Sequence, residues 1–414
     1  MDGKCYGLLG RKLGHSWSVP IHQALGCPDY RLIELEPDAL EAFLRRTDIG
    51  GLNVTIPYKR DVMPYCDEID AAARAIGSVN TIVRRPDGKL CAYNTDAAGF
   101  CYMARRAGIS FAGRKAVILG SGGASLTAQA CARQLGARQV VVISRSGPDN
   151  YETLSRHADA DIVVNTTPVG MYPGNGAAPV DLTAFPACRG VLDVIYNPRR
   201  TALLQQAEAL GIPCSDGLPM LVAQAKAAEE HFFGTAIDDG ENERILAQLR
   251  QETENIVLIG MPGCGKTTVG QALAQKTGRE AIDLDKRIAA RAGCSIPEIF
   301  ARGGEVEFRA LEREETAKAG ALSGKILLTG GGVVKTPENY PSLHQNSRIY
   351  HLLRPIEVLP TDGRPLSQGA DLTAMWAERE PLYRRFRDAA IENTGTVEDT
   401  ADAIWRDFCA HSGD

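Results

Sequence analysis

The sequence predicts an α/β protein: an α/β N-terminal unit, a doubly wound parallel sheet set into it, and a separate phosphate-binding α/β domain after them. Three observations carry this. Short apolar runs alternate with amphipathic stretches from Cys5 onward, as in layered strands and helices. Two of those runs open directly into glycine-rich turns, Gly120-Ser-Gly-Gly123 and Gly260-Met-Pro-Gly263-Cys-Gly265-Lys-Thr-Thr268. The chain has 414 residues, 44% hydrophobic and 23% charged, enough for two or three cores.

Taken in order, Tyr30–Leu35 reads as a strand and Pro37–Arg46 as a helix. Arg114–Leu119 is a strand that opens through the first glycine turn into a helix over Thr127–Leu135. Strands follow at Val140–Ile143, Asp161–Asn165 and Gly190–Ile195, which makes 101–215 a doubly wound, Rossmann-type unit interrupting the first domain. Helices over Leu218–Phe233 and Glu241–Gln251 return to that first domain, so it comprises 1–100 completed by 216–253. The polar stretch Glu252–Asn255 is the linker, and Ile256–Ile259 begins a last domain, 254–414.

A formal charge of −5 argues against nonspecific nucleic-acid binding, so small molecules are the expected partners. Eleven cysteines without a C-x-x-C pair, and no secretory segment behind Met1-Asp-Gly-Lys4, fit reduced thiols in a cytoplasm. No apolar run approaches membrane-spanning length. Oligomeric state is not legible.

The second glycine turn is a complete G-x-x-x-x-G-K-[ST] phosphate loop. Its backbone N–H groups converge on a nucleotide's phosphates, Lys266 reaches the β and γ oxygens, and the Thr267 hydroxyl is placed for Mg²⁺. Cys264 reads as a small filler between glycines; a redox-sensitive thiol at a helix N-terminus is the alternative. The first turn, Gly120, Ser121, Gly122, Gly123 and Ala124, lacks the full G-x-G-x-x-G and is weaker by itself. Ser144-Arg145-Ser146 after the next strand strengthens it, because arginine there suits a ribose 2′-phosphate and so NADP over NAD.

Four further patches serve no obvious packing purpose: His15-Ser16-Trp-Ser18-Val-Pro20, Asn53-Val-Thr55-Ile-Pro-Tyr-Lys59, Gly77-Ser-Val-Asn80-Thr81 and Asn94-Thr-Asp96. With Tyr196-Asn-Pro198 and Gly217-Leu-Pro-Met-Leu-Val-Ala-Gln224, these resemble shikimate dehydrogenase over residues 4–253. The resemblance implies that Ser16 and Ser18 hold a substrate carboxylate; in an extended segment the two would face one side. It implies that Thr55, Asn80, Asp96 and Gln224 bind ring hydroxyls with Tyr196 nearby, and that Gly217 lies with the cofactor loop. Lys59 and Asp96 are implied as the catalytic pair. Reducing a ketone requires a proton donor within hydrogen-bond reach of the carbonyl oxygen, and a lysine oriented by a carboxylate can fill that role. Taken alone, Lys59 would read as an exposed lysine at a helix start and Asp96 as the N-cap of a helix over Ala97–Arg106. The chain departs from the family in its short crossover between Arg145 and Asn165, which leaves Arg145 as the sole basic residue for the adenosine side; His157 reads as a surface helix residue.

After the phosphate loop come Asp283-Leu-Asp285, two apart and so on one face of a strand, then Gly304-Glu-Val-Glu-Phe-Arg309-Ala-Leu-Glu312, Gly330-Gly331-Gly332, Asp362-Gly-Arg364 and Glu378-Arg379. This succession resembles shikimate kinase, with the phosphate-loop fold of nucleoside monophosphate kinases. The resemblance implies that Asp283 positions Mg²⁺ and Asp285 binds ring hydroxyls as the candidate base. Arg309 and Arg379 would fork the substrate carboxylate, with Glu312 holding Arg309. Gly330, Gly331 and Gly332 would allow close backbone approach, and Arg364 on a lid would neutralise the transferring phosphoryl group, beside a nucleotide held by Gly263, Cys264, Gly265, Lys266, Thr267 and Thr268. Arg384, Arg385 and Arg387 read as solvated. The lid is short and broken by two prolines, and an adenine-stacking arginine has no clear match, since Arg354 ends its strand early.

The expectation is therefore a bifunctional enzyme: NADPH reduces 3-dehydroshikimate to shikimate, which MgATP phosphorylates to shikimate 3-phosphate. Two alternatives stand beside it. The first half could accept quinate or NAD, against which Ser16, Ser18 and Arg145 argue; or one half could have lost catalysis and act as a regulatory module, though no catalytic position is visibly substituted.

Overall fold

The computed structural model describes residues 3–14, 16–359 and 371–413. They form two compact units, one of Met1–Met171 with Ala177–Leu246 and the other of Tyr172–Gly176 with Ala247–Asp414.

The first unit contains two sheets. In one, β1 (Cys5–Gly10), β2 (Arg31–Glu34), β3 (Ile49–Val54), β4 (Glu68–Ile69), β5 (Thr81–Arg84) and β6 (Leu90–Tyr93) lie in the order β2-β1-β3-β5-β6-β4. Strands β1 to β3 are parallel, and β5 runs antiparallel to both its neighbours. Every residue of β1 and β3 is buried, Asn53 included, so neither strand shows the alternation of a one-sided strand. Around this sheet lie α1 (Ser18–Ala24), α2 (Leu40–Leu44), α3 (Ala71–Ile76) and α4 (Asp96–Arg106).

The second sheet joins β7 (Lys115–Leu119), β8 (Gln139–Ile143), β9 (Ile162–Asn165), β10 (Gly190–Asp193) and β11 (Cys214–Ser215), all parallel, in the order β11-β10-β9-β7-β8. The chain leaves β7 for β8 on one side and returns to β9 on the other. The glycine turn after β7 therefore sits at the switch point of a doubly wound sheet, where such folds bind ligands. It feeds straight into α5 (Gly123–Gln134), so the helix starts earlier than the expected Thr127. After α6 (Ala202–Ala209), α7 (Leu218–Phe233) returns to pack on α1, α4 and β3, and α8 (Gly240–Thr253) follows. Two glycines permit this return: a Cβ on Gly99 would lie 2.4 Å from the Met220 carbonyl, and one on Gly51 would lie 2.2 Å from the Phe232 ring.

The second unit holds one parallel sheet of β12 (Asn255–Ile259), β13 (Ala281–Asp283), β14 (Ile326–Leu328), β15 (Ser347–Leu353) and β16 (Ala389–Glu392), ordered β13-β14-β12-β15-β16. Its helices are α9 (Lys266–Thr277), α10 (Leu284–Ala292), α11 (Ile296–Gly320), α12 (Asn339–His344), α13 (Leu372–Phe386) and α14 (Val397–Ala410). Gly304, at φ 68° and ψ −164°, breaks α11 and starts its second segment just ahead of Arg309. The central strand β12 is wholly buried and ends in the phosphate loop. All eleven cysteines are free, and no helix among the described residues is long and apolar enough to cross a membrane.

Candidate active sites

In the first unit the side chains meet where β3, β5 and α4 end or begin. Lys59 Nζ donates to Asp96 Oδ2, and Asp96 Oδ1 accepts from Asn80 Nδ2 at 2.9 Å. The Asn80 amide also donates to Gln224 Oε1 at 3.2 Å. Its orientation is fixed because its oxygen faces the Thr95 N–H at 2.7 Å, a group that can only donate. Neither simpler reading of the pair survives. Asp96 is the first residue of α4 and does not cap it; Asn94 Oδ1 accepts from Ala97 N at 3.3 Å instead. Lys59 is not an exposed lysine, since its side chain is 21% accessible and held by the carboxylate.

Ser16 and Ser18 do meet, the Ser16 hydroxyl donating to Ser18 Oγ at 3.1 Å. They do so in a turn and not in an extended segment: Trp17 is in the right-handed helical region, Ser18 opens α1, and its N–H donates to Ser16 Oγ at 3.2 Å. Thr55 stands half-buried just beyond β3, and Tyr196 half-buried beyond β10, where burial raises its phenol pKa. His15 lies outside the described residues.

The glycines of the dinucleotide turn divide by cause. Gly120 has φ +105°, and a Cβ there would crowd Thr166 Oγ1 at 2.9 Å, so the fold itself requires glycine. Gly122 has no protein atom within 4 Å of an added Cβ and an extended backbone, and at Gly123 only Lys59 Cδ comes near, at 3.9 Å. Nothing among the described residues requires glycine at these two positions, which leaves the uncapped N-terminus of α5 open. Ser121 is exposed and Ala124 half-buried beside them. Gly217 has a packing reason instead, since a Cβ there would lie 2.1 Å from the Val194 carbonyl. Arg145 and Ser146 are exposed after β8, next to half-buried Ser144, whose N–H closes the loop onto the Asp149 carbonyl at 3.2 Å. His157 is no surface residue: it is 8% exposed, and its Nε2 meets Asp149 Oδ1 at 3.0 Å, pinning this loop from beneath. A short 3-10 turn over Leu154–His157 points the ring inward, which helical periodicity does not foresee.

In the second unit the phosphate loop is held open by three glycines with positive φ, Gly260 (144°), Gly263 (84°) and Gly265 (101°). Lys266 Nζ rests on the carbonyls of Gly260 and Met261 at 2.8 and 3.0 Å, leaving Thr267 and Thr268 exposed at the start of α9. Cys264 is 1% exposed and packed in the core, which favours the filler over a reactive thiol. Asn393 clamps the loop, donating to the Cys264 carbonyl at 2.7 Å.

Asp283 and Asp285 do not share a strand. The strand stops at Asp283, whose carboxylate caps α10 by accepting from Lys286 N at 3.2 Å, and Asp285 lies within the first turn of that helix. Burial, then the neighbouring Asp283, raises the Asp285 pKa above the usual carboxylate value. Three consecutive glycines each make room for a different partner: a Cβ on Gly330 would meet Asp285 Oδ1 at 2.8 Å, on Gly331 the Pro262 ring at 2.7 Å, and on Gly332 Arg309 Nη2 at 2.4 Å. Arg309 donates to Glu312 at 2.7 Å, and Glu305 takes its other edge at 3.0 Å. Arg379 is buried and donates to the Gly331 carbonyl at 3.2 Å, an oxygen shared with the Tyr383 hydroxyl. Arg384 and Arg385 are exposed, but Arg387 is half-buried, its Nη1 3.4 Å from His351 Nδ1.

A cavity of about 410 Å³ opens beside the phosphate loop, walled by Gly265, Thr268, Arg354, Pro355, Asn393 and Thr394 among others. Arg354 thus lines this cavity although its strand ends one residue earlier. Asn393 and Thr394 carry no motif that would mark them in the sequence. Arg364 and the lid from Pro360 on lie outside the described residues.

A lysine–carboxylate pair beside a dinucleotide turn, and a phosphate loop facing two arginines and a shielded aspartate, define an oxidoreductase joined to a phosphotransferase. Comparison with known proteins gives the particular families. Residues 8–82 match the shikimate dehydrogenase substrate binding domain and residues 262–408 match shikimate kinase. The NADP⁺ shikimate dehydrogenase of Symbiobacterium thermophilum is 35% identical over 56% of this chain and 90% of its own length; that of Clostridium perfringens is 35% identical over 60% and 98%. Among solved structures, a chorismate mutase/shikimate 5-dehydrogenase fusion from Clostridium acetobutylicum is 34% identical, covers 61% of this chain and 98% of its own, and superposes with a TM-score of 0.58. A shikimate 5-dehydrogenase from Thermus thermophilus, solved with NADP(H) and shikimate, is 29% identical over 58% and 97%, with a TM-score of 0.52. The chain belongs to the shikimate dehydrogenase family and carries a shikimate kinase domain after it.

Proposed function

We propose that the first half reduces 3-dehydroshikimate to shikimate with NADPH, and that the second half phosphorylates the 3-hydroxyl of shikimate with MgATP. The observation that carries the first reaction is the Lys59 ammonium, held by Asp96 within reach of the dinucleotide turn at Gly123. NADPH supplies the hydride. Lys59 donates the proton to the carbonyl oxygen and stabilises the developing alkoxide, while Asp96, kept in place by Asn80, orients the ammonium. Ser16 and Ser18 hold the substrate carboxylate, Thr55, Asn80 and Gln224 its hydroxyls, and Tyr196 closes the site. Arg145, with Ser144 and Ser146, takes the 2′-phosphate.

In the second half Asp285 accepts the proton of the attacking hydroxyl, its raised pKa suiting a base, and Arg309 and Arg379 grip the carboxylate. Thr267 and Asp283 would hold Mg²⁺, which would supply positive charge to the phosphate oxygens during transfer. ATP supplies the phosphoryl group, and Lys266 leaves the carbonyls of Gly260 and Met261 to meet its phosphates. We place the division between the two enzymes near residue 254, with 101–215 as the cofactor-binding part of the first. The test is to supply 3-dehydroshikimate with NADPH, and shikimate with MgATP, in separate assays. Activity in both supports the reading, and silence in either removes that half of it.

A further inference from the structure

One buried polar cluster ties together three segments that lead to the dehydrogenase substrate side. His22 lies on α1 one turn after Ser18, and Glu229 lies on α7 beyond Gln224. His22 Nδ1 and Glu229 Oε1 are 2.5 Å apart, and both side chains are wholly excluded from solvent. Tyr30 stacks on the imidazole with ring centroids 3.8 Å apart and donates its hydroxyl to Asn53 Oδ1 at 2.8 Å. Asn53 belongs to β3, the strand that runs into Thr55.

The surroundings are apolar: Tyr6, Leu8, Cys27 and Phe232 belong to the same buried cluster. Glu229 Oε2 finds no hydrogen-bond partner there, and the polar neighbours of the imidazole are Glu229 and Asn53. Burial lowers the imidazole pKa, against the pull of Glu229. A polar pair in such a place is commonly matched or bettered in stability by apolar residues of similar volume. What apolar residues lack is direction. A hydrogen bond fixes the distance and angle between two helices, whereas methyl groups slide.

We propose that His22 and Glu229 are positioning residues of the dehydrogenase. Their hydrogen bond sets α1 against α7, and with it the span between the Ser16–Ser18 hydroxyls and the Gln224 amide, which grip opposite ends of a carboxylated ring. This rests on the assignment of those three residues to 3-dehydroshikimate. Neither His22 nor Glu229 touches the substrate.

The test uses the full chain and three variants: E229Q, which keeps the hydrogen bond; E229M, which removes it at similar volume; and H22L/E229M, which makes the cluster apolar. The expected result is a KM for 3-dehydroshikimate raised about tenfold in E229M and in the double variant, since small misplacements of binding groups are costly. E229Q stays near the wild type, and KM for NADPH and kinase activity do not change in any of them. A wild-type KM in whichever apolar variant folds overturns the proposal, as does an E229Q variant impaired as much as E229M. S16A/S18A is run alongside. An unchanged KM there removes the substrate assignment itself, whereas a raised KM there with unchanged apolar variants removes only the positioning role.

Discussion

The methylene stem of Lys59 passes 3.9 Å from the place a Cβ would take on Gly123, so the lysine that Asp96 holds lies beside the glycine turn after β7. Lys59→Ala is expected to lower dehydrogenase kcat by about 10²- to 10⁴-fold, the usual worth of a positioned acid. Asp96→Asn should cost less, because the amide still meets Asn80 but no longer fixes the ammonium. Kinase turnover measured on the same preparations should not change; a loss of both activities would mean the chain had misfolded or the two sites were not independent.

Gly120 and Gly123 belong to one turn but answer to different demands. Gly120→Ala should destabilise the first unit by about 1–3 kcal/mol, through its positive φ and the crowded Thr166 hydroxyl. Gly123→Ala should leave thermal unfolding unchanged and raise KM for NADPH, because an added methyl meets no described atom closer than 3.9 Å and would stand where the dinucleotide is proposed to approach. Melting curves with and without NADPH separate the two cases, and a stability loss at Gly123 would contradict this account.

The Asp285 carboxyl titrates above the ordinary carboxylate range, through burial and then the adjacent Asp283. A base must be deprotonated to act, so kinase kcat/KM should fall as pH drops through that raised value, with an inflection above about 4, the unperturbed value for aspartate. Rates measured across the acid limb, with dehydrogenase activity as a control for unfolding, check this. An acid limb below that value would speak against Asp285 as the base.

Asp193, at the end of β10, is wholly buried and its pKa is pushed up to about 6 by desolvation, although Ile195 N, Asn165 and Thr201 all donate to it. The folded state therefore holds this proton more tightly than the unfolded chain, whose aspartate titrates near about 4. The contribution to stability is fully present below about pH 4 and is lost as pH rises through about 6, roughly 3 kcal/mol in all. Asp193→Asn removes that term, so the stability difference between variant and wild type should shift in the variant's favour over this window. Chemical denaturation at several pH values measures it, and a difference independent of pH would refute the assignment.

Much of this is legible in the chain because particular residues have a single use. A strand running into Gly260–Thr268 leaves little choice but a phosphate loop, and Lys59, Asn80 and Asp96 sit in patches that make no sense as packing. Other features depend on contacts that no periodicity encodes. The turn at Trp17 that brings the two serines together is closed by the Ser18 N–H on Ser16 Oγ. His157 turns inward to meet Asp149 because a 3-10 turn replaces the helix its neighbours suggest. Asp283 and Asp285 part company because Asp283 serves as a cap, which ends the strand between them. Arg354 follows the end of its strand and lines the cavity beside the phosphate loop, a placement its sequence position alone does not reveal. His22 and Glu229 stand 207 residues apart, and no spacing rule links them.

The central claim is that one chain makes shikimate and then consumes it. The direct test is a single reaction containing the purified protein, 3-dehydroshikimate and NADPH, followed at the nicotinamide band until oxidation stops, then supplied with MgATP and sampled by mass spectrometry. The account predicts loss of NADPH matched by shikimate, followed by its conversion to shikimate 3-phosphate. NADPH left unoxidised, or shikimate that persists unphosphorylated after MgATP is added, would contradict it.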